Sequence, residues 1–257
     1  SSHRRQRQMC IRDSYQDNGF FPSTKGFCRR IHDFFMAARP FFAIDMLVLD
    51  NLIAGQWIPA GPSPTPLLDA VHGTPVAALD ASNVDLASAY AYGRTVGSDN
   101  LRRMTFQERG RMLKALALHL MENKEKFYVW SAHTGATRSD SWIDVEGGIG
   151  TLFAYASLRK QLPDLPYLVD GDPAMLSREG TFIGHHIGVP KRGVAVHINA
   201  YNFPVWGMLE KISANLLAGV PAIVKPASLT SYVAHAMVKE IHASGILPAG
   251  ALQLVCG

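Results

Sequence analysis

The sequence predicts an α/β protein whose last third is a parallel sheet linked by helices, and three observations carry that reading. Apolar runs of strand length at 194–198, 222–225 and 252–256 alternate with helix-length segments at 204–218 and 230–243. Gly219 and Gly245 stand just past the two helical segments, where a left-handed residue ends a helix. The connections are short, so the strands pair in parallel through right-handed crossovers, and a ligand is expected beyond their carboxyl ends.

The preceding elements follow from local chemistry. Residues 51–58 place Ala54-Gly55 between two apolar runs, a hairpin signal, and the proline-rich stretch 59–66 reads as an extended connection. A short helix is expected over 83–92 with Ser82 or Asn83 as its cap. Thr105 and Glu108 form a capping box ahead of Met112, Leu113, Leu116, Leu120 and Met121, which predicts one helix running to His133 and stopping near Gly135. A second helix is expected over 141–160, where Gly147, Gly148 and Gly150 weaken the propensity but permit close packing. Residues 163–173 read as loop, and 181–189 as a strand with Ile183, Ile187 and Val189 on one face.

Composition narrows the function classes. The chain has 257 residues, 47% of them hydrophobic, enough for a sizeable core. Its net charge of +4 is not spread over the fold: residues 1–45 hold eight Lys or Arg against four Asp or Glu, and 46–257 hold seventeen of each. A nucleic-acid partner, which needs a basic face on the folded part, is therefore not expected. The apolar stretch 34–49 is broken by Arg39, Pro40 and Asp45, so no membrane span is expected. Three widely spaced cysteines, Cys10, Cys28 and Cys256, suit neither a zinc cluster nor a disulfide framework and point to a reducing, cytoplasmic setting. Residues 5–14, RQRQMCIRDS, resemble translated adapter sequence, so 1–45 read as a non-native or disordered leader with Met46 as the native start. Cys10, Cys28 and His32 carry no functional weight in that reading.

Spacing alone gives each candidate residue two readings. Asn202 follows the first parallel strand and precedes a helix opening at Pro204, the setting of an ordinary N-cap. The same position also suits an amide that donates to a developing oxyanion, because an amide donates without titrating. Lys225 ends a buried-type strand and either snorkels to solvent or faces a ligand. Cys256 reads as a small buried hydrophobe; His197, inside the first strand near Tyr201, either touches a ligand at the strand ends or is a satisfied core histidine, and the latter is the expectation. His185 and His186 point to opposite faces of a strand and do not share a metal. No G-x-G-x-x-G follows the first strand.

Two segments decide between these readings. NAYNFPVWGMLEKISANLLAG at 199–219 and VKPAS at 224–228 resemble the aldehyde dehydrogenase family. The resemblance spans 51–257 and implies an incomplete Rossmann-like parallel sheet, the family's cofactor-binding domain, with an N-terminal helical portion. A bridging arm at about 178–192 and a βαβαβ core at 193–257 complete it; the catalytic domain is not in this sequence. By the match, Asn202 is the oxyanion-hole side chain and Lys211 the family's buried lysine of the proton relay. Ile198, Asn199, Tyr201, Lys225, Ala227 and Ser228 line the cofactor, with Lys225 on the adenosine ribose. Ser228 stands where many NAD-preferring members carry an acid, and the missing negative charge favours NADP, with NAD as second choice.

VHINAYNFPVWGMLEK at 196–211 and LPAGALQLVCG at 247–257 resemble the semialdehyde dehydrogenases of coenzyme-A-linked, phenylacetate-type aromatic degradation. The substrate implied is a small aldehyde, possibly borne on a CoA thioester; the mechanism implied is thiolate addition, hydride transfer and thioester hydrolysis. The family's cysteine and glutamate lie downstream of the segment present, so the chain alone is expected to be inactive. Its bridging strand is expected to associate, as the full-length protein does in a homo-oligomer. A noncatalytic nucleotide-binding or assembly module, and a dehydrogenase for another semialdehyde, are the alternatives.

Overall fold

The computed structural model of the chain describes residues 46–257. The readings for 1–45, including Cys10, Cys28 and His32, lie outside the described residues. Strand β1 (Leu47–Leu49) is followed by β2 (Asn51–Ile53) and β3 (Gln56–Ile58). The last two form the expected hairpin, and its turn residues Ala54 and Gly55 take positive φ of 50° and 77°. Two consecutive left-handed residues match the twist of the strands they join. The connection after it is not wholly extended loop: β4 (Thr65–Leu68) pairs antiparallel with β5 (Pro75–Leu79), which also pairs in parallel with β1. Pro66 sits on β4, an edge strand, where its missing N–H does no harm, but it hid the strand from pattern reading.

The turn between β4 and β5 is organised by Asp69, which is buried at 5% exposure. Its carboxylate accepts from the backbone N–H groups of Val71 and His72 at 2.7 and 2.9 Å and lies 2.5 Å from His133 Nδ1. Burial alone would raise this carboxyl, but the His133 ring and the two N–H groups outweigh it and hold the group well below the usual carboxylate range.

Helix α1 (Leu86–Tyr92) begins later than expected. Its cap is Asp85, whose side chain accepts from Ser88 N–H, while the Asn83 amide is taken up in donating to Pro59 O at 3.0 Å. The helical path continues through a π-helical turn at Gly93–Gly97 into α2 (Ser98–Arg103). The Thr105–Glu108 capping box opens α3 (Phe106–Glu122) as expected. That helix does not reach His133: Asn123 leaves helical ψ and its amide donates to His119 O at 2.9 Å, so a separate α4 (Glu125–Ala132) follows. Helix α5 (Arg138–Leu158) has a second capping box, Thr137 with Asp140. Part of the stretch read as loop is β6 (Leu168–Met175), the antiparallel partner of β7 (Ile183–Gly188). Both strands of this hairpin are solvent-exposed over most of their length, so neither carries the alternation that would have marked β6.

The last third forms as the pattern predicts. Strand β8 (Ala195–Ile198), helix α6 (Trp206–Leu217), β9 (Ala222–Lys225), α7 (Ser231–Ala243) and β10 (Leu252–Leu254) make a βαβαβ unit with all three strands parallel. The N-terminal hairpin extends this sheet, giving the order β3-β2-β10-β9-β8. Its main core includes Met208, Ile212, Leu216, Val224, Val233 and Leu254, all fully buried. A smaller apolar cluster gathers Ile53, Ala89, Ile223 and Val255. Gln253 joins the parts: its Oε1 accepts from Ala54 N–H at 2.9 Å and its Nε2 donates to Ala89 O at 2.8 Å.

Helices α5 and α6 approach closely because α5 presents glycine. A Cβ on Gly148 would lie 2.9 Å from Trp206 Cα, and one on Gly147 would run into the Trp206 ring. Backbone cannot yield as a side-chain tip can, so Gly148→Val should lower stability by about 2 kcal/mol, read as a shift of the urea midpoint. The depressed Asp69 carboxyl contributes stability that is complete above its ordinary value of 3.8 and lost as pH falls through the lower folded-state value. Asp69→Asn should therefore melt at lower temperature at pH 7 and lose less stability than the parent between about pH 4 and 2. A series of thermal melts checks both halves.

Candidate functional site

The carboxyl ends of β8 and β9 lie side by side, since Ile198 is in register with Lys225. Asn199 N–H donates to Lys225 O at 3.0 Å and carries the pairing one residue further. The chain then leaves the sheet as a loop over 199–205. In its middle, Thr230 Oγ1 donates to Tyr201 O at 3.1 Å, and Gly207 N–H to Phe203 O at 3.0 Å. Asn202 is exposed on this loop and hydrogen-bonds no protein group among the described residues.

The ordinary cap reading of Asn202 fails here. Helix α6 starts at Trp206 rather than Pro204, and its N-terminal N–H groups are met from another helix. Asp144 of α5 accepts from Trp206 N–H at 2.8 Å and from Val205 N–H at 3.2 Å. This carboxyl is 4% exposed, and burial pushes it up to about 6 against the pull of those two N–H groups. Sequence reasoning missed Asp144; the only signal was an acid among the apolar and glycine positions of α5.

Lys225 is half-buried, and its ammonium donates to Ser228 Oγ at 3.3 Å across the turn formed by Pro226 and Ala227. A short 3-10 turn at Ser228–Thr230 leads from there into α7. Lys211 departs from expectation, being exposed rather than buried; its ammonium donates to Asn199 Oδ1 at 2.6 Å. It lies on the flank of α6 toward β8, which the absence of a further strand outside β8 leaves open among the described residues. Asn199 is 6% exposed, and its Nδ2 has no partner. One turn along α6, Asn215 pairs with His197 Nε2 at 2.9 Å. His197 is buried as expected but only half satisfied, since Nδ1 is unpaired; burial, then the nearby Lys211 charge, lowers its pKa.

Apolar side chains frame the crevice: Ile198 is 76% exposed, Tyr201 63% and Leu229 70%. Cys256 is fully buried, and burial pushes its thiol up to about 12, so it has no nucleophilic character at neutral pH. Its backbone N–H donates to Asn51 Oδ1 at 2.7 Å, which makes it part of the sheet's packing. His185 and His186 are both exposed on β7, and among the described residues no group of three or more His, Cys, Asp or Glu is placed to hold a metal. No helix among the described residues is long and apolar enough to cross a membrane. A cavity of about 680 Å3 lies at the opposite, amino end of β8, between Phe106, Pro190, Arg192 and Val220.

Among proteins of known sequence, a 3,4-dehydroadipyl-CoA semialdehyde dehydrogenase of Aromatoleum evansii is 39% identical over 81% of this chain. A phenylacetaldehyde dehydrogenase of Pseudomonas fluorescens is 31% identical over 84% of it. The chain spans 41% and 43% of the lengths of those two relatives. Among solved structures, a 3,6-anhydro-L-galactose dehydrogenase in complex with NAP superposes with a TM-score of 0.69 at 23% identity, over 82% of this chain and 42% of that one. An NAD-dependent benzaldehyde dehydrogenase from Corynebacterium glutamicum gives 0.64 at 20%, over 85% and 46%. These likenesses show the fold. The profile of the aldehyde dehydrogenase family matches residues 57–257, the greater part of the chain and all of the crevice, and the chain belongs to that family.

Proposed function

We propose that the chain carries the cofactor-binding portion of a cytoplasmic semialdehyde dehydrogenase that oxidises an aldehyde, borne on a CoA thioester, to its acid in phenylacetate-type aromatic catabolism. NADP is the acceptor in this reading and NAD the second choice. The observation that supports it most is the meeting of the Asn202 loop and the Lys225–Ser228 turn at neighbouring strand ends. Crevices at such ends are where open α/β sheets bind ligands. The likeness to the Aromatoleum evansii enzyme supports the substrate class.

The side chains present fit a nucleotide. Lys225 offers an ammonium held only by a 3.3 Å hydroxyl contact, and Ser228 brings no negative charge to oppose a 2′-phosphate. Ile198 and Tyr201 supply exposed apolar surface, and Asn199 and Ala227 lie at the same strand ends, buried and half-buried. When bound, the nicotinamide takes up the hydride. Asn202 has a free amide to donate to the tetrahedral oxyanion, and Lys211, fixed by Asn199, stands at the mouth for proton movement. The nucleophilic thiolate and the base that activates water belong, in this reading, to parts of the enzyme other than 46–257, because Cys256 is shut in the core. Residues 46–257 alone then bind nucleotide and turn over no aldehyde. The exposed β6–β7 hairpin, with Ile183, Ile187 and Val189 at 50%, 55% and 60% exposure, is the surface for association with another copy.

Calorimetric titration of the chain with NADP and NAD tests the proposal. NADP should bind more tightly, Lys225→Ala should weaken it about tenfold or more, and Ser228→Asp should shift the preference toward NAD by about tenfold. Saturable binding of neither nucleotide, or an unchanged preference in Ser228→Asp, would sink the cofactor assignment. Asn199→Leu removes a buried amide whose Nδ2 is unpaired, so it should change unfolding free energy by less than about 1 kcal/mol. The same substitution should free the Lys211 ammonium, seen as greater motion of its ε-methylene by NMR.

A further inference from the structure

We propose that Asp144, on α5 and outside the crevice, is a positioning residue for the Asn202 loop: its carboxylate caps α6 from a different helix and thereby fixes where the Asn202 amide points. The proposal rests on the oxyanion reading of Asn202 given above. Its geometry is independent of any ligand.

The first N–H groups of a helix have no partner within it. Pro204 has none to satisfy, Gly207 N–H takes Phe203 O, and Leu209 N–H takes Val205 O. The two N–H groups between, those of Val205 and Trp206, have one acceptor, the Asp144 carboxylate. The residue at the helix's own cap position, Val205, has no side-chain acceptor to offer. In an ordinary cap the preceding polar residue would turn inward, and here that residue is Asn202. With the carboxylate supplied from α5, Asn202 is released from capping and stays exposed.

The sequence of α5 is arranged for this reach. Gly147 and Gly148 follow Asp144 by three and four residues, which puts all three on one helix face. Those glycines let the Trp206 backbone and ring come against α5, and Asp144 then meets the start of α6 without a spacer. Val205 is fully buried, so the loop's last residue is fixed on both sides, by packing and by the carboxylate.

The energetics suit positioning rather than stabilisation. A carboxyl raised from 3.8 to about 6 in the fold binds its proton more readily folded than unfolded. Stability therefore falls as pH rises between those two values and gains nothing above them. An ionised, buried carboxylate is retained against that gradient, at a helix N-terminus whose dipole favours negative charge.

The test uses the 15N-labelled chain and its Asp144→Asn and Asp144→Ala variants. Hydrogen exchange at Val205 and Trp206 should accelerate by about tenfold in Asp144→Asn and more in Asp144→Ala, relative to Ile212 and Val238 in the same samples. The 15N order parameters of Tyr201 and Asn202 should fall with them. A purely structural role would lower the melting temperature and leave the loop's order unchanged; that outcome overturns the proposal, as does unaltered exchange at Val205 and Trp206. If neither variant folds, the parent chain decides through scalar coupling between Trp206 15N and Asp144 13Cγ, whose absence would also overturn it. No nucleotide or aldehyde enters these measurements, so their failure and a failure of the cofactor assignment are read separately.

Discussion

The close approach of α5 and α6 is the constraint from which the rest of the crevice follows. Two adjacent glycines on α5 admit Trp206, and with it the whole start of α6, to a distance that any side chain there would forbid. Helix α6 in turn buries Met208, Ile212 and Leu216, and its far flank carries Lys211 and Asn215 toward β8. The depth at which α6 docks therefore sets the height of the loop above the strand ends and the reach of Lys211 to Asn199. A larger residue on α5 would disturb loop and lysine together, although Lys211 has no hydrogen bond to that helix.

Electrostatics give the crevice its sign. Lys225 and Lys211 stand near the carboxyl ends of β9 and β8, and their ammonium groups donate to a hydroxyl and an amide oxygen rather than to carboxylates. The charge on each is thus held in place without being neutralised. Asp144 gives its carboxylate to the α6 terminus and is buried. Over residues 46–257 the cationic and anionic side chains balance, so the positive character is local to the site.

The parallel unit was legible because each of its segments is locally self-consistent. Its three strands are short apolar runs, its helices end at Gly219 and Gly245 with positive φ, and Lys225 falls on the last residue of its strand. Of the N-terminal strands, the β2–β3 hairpin was legible from its turn, while β1 and β4 were not: they are three and four residues long, and β4 contains proline, so neither offers enough alternation. The break in the expected long helix turns on one side chain, Asn123, that competes for a backbone carbonyl. Arg109 falls on the core-facing stripe with Met112, Leu113 and Leu116 and is fully buried against the Phe106 ring, something hydropathy assigns to apolar residues alone. At the site, family resemblance named residues, while the exposure of Lys211 follows from the open flank beside β8 and the capping by Asp144 from contacts between elements sixty residues apart in sequence.

The antiparallel seam between β2 and β10 joins Leu52 to Leu254, and Gln253 and Asn51 add side-chain ties across the same gap of about two hundred residues. On a ribosome moving from the amino terminus, the early hairpin waits with one edge bare until about two hundred further residues have been made. Its hydrogen-bonding groups are then available to any passing strand for the whole of that interval. A strand edge left bare for that long is a template for mispairing before its native partner arrives.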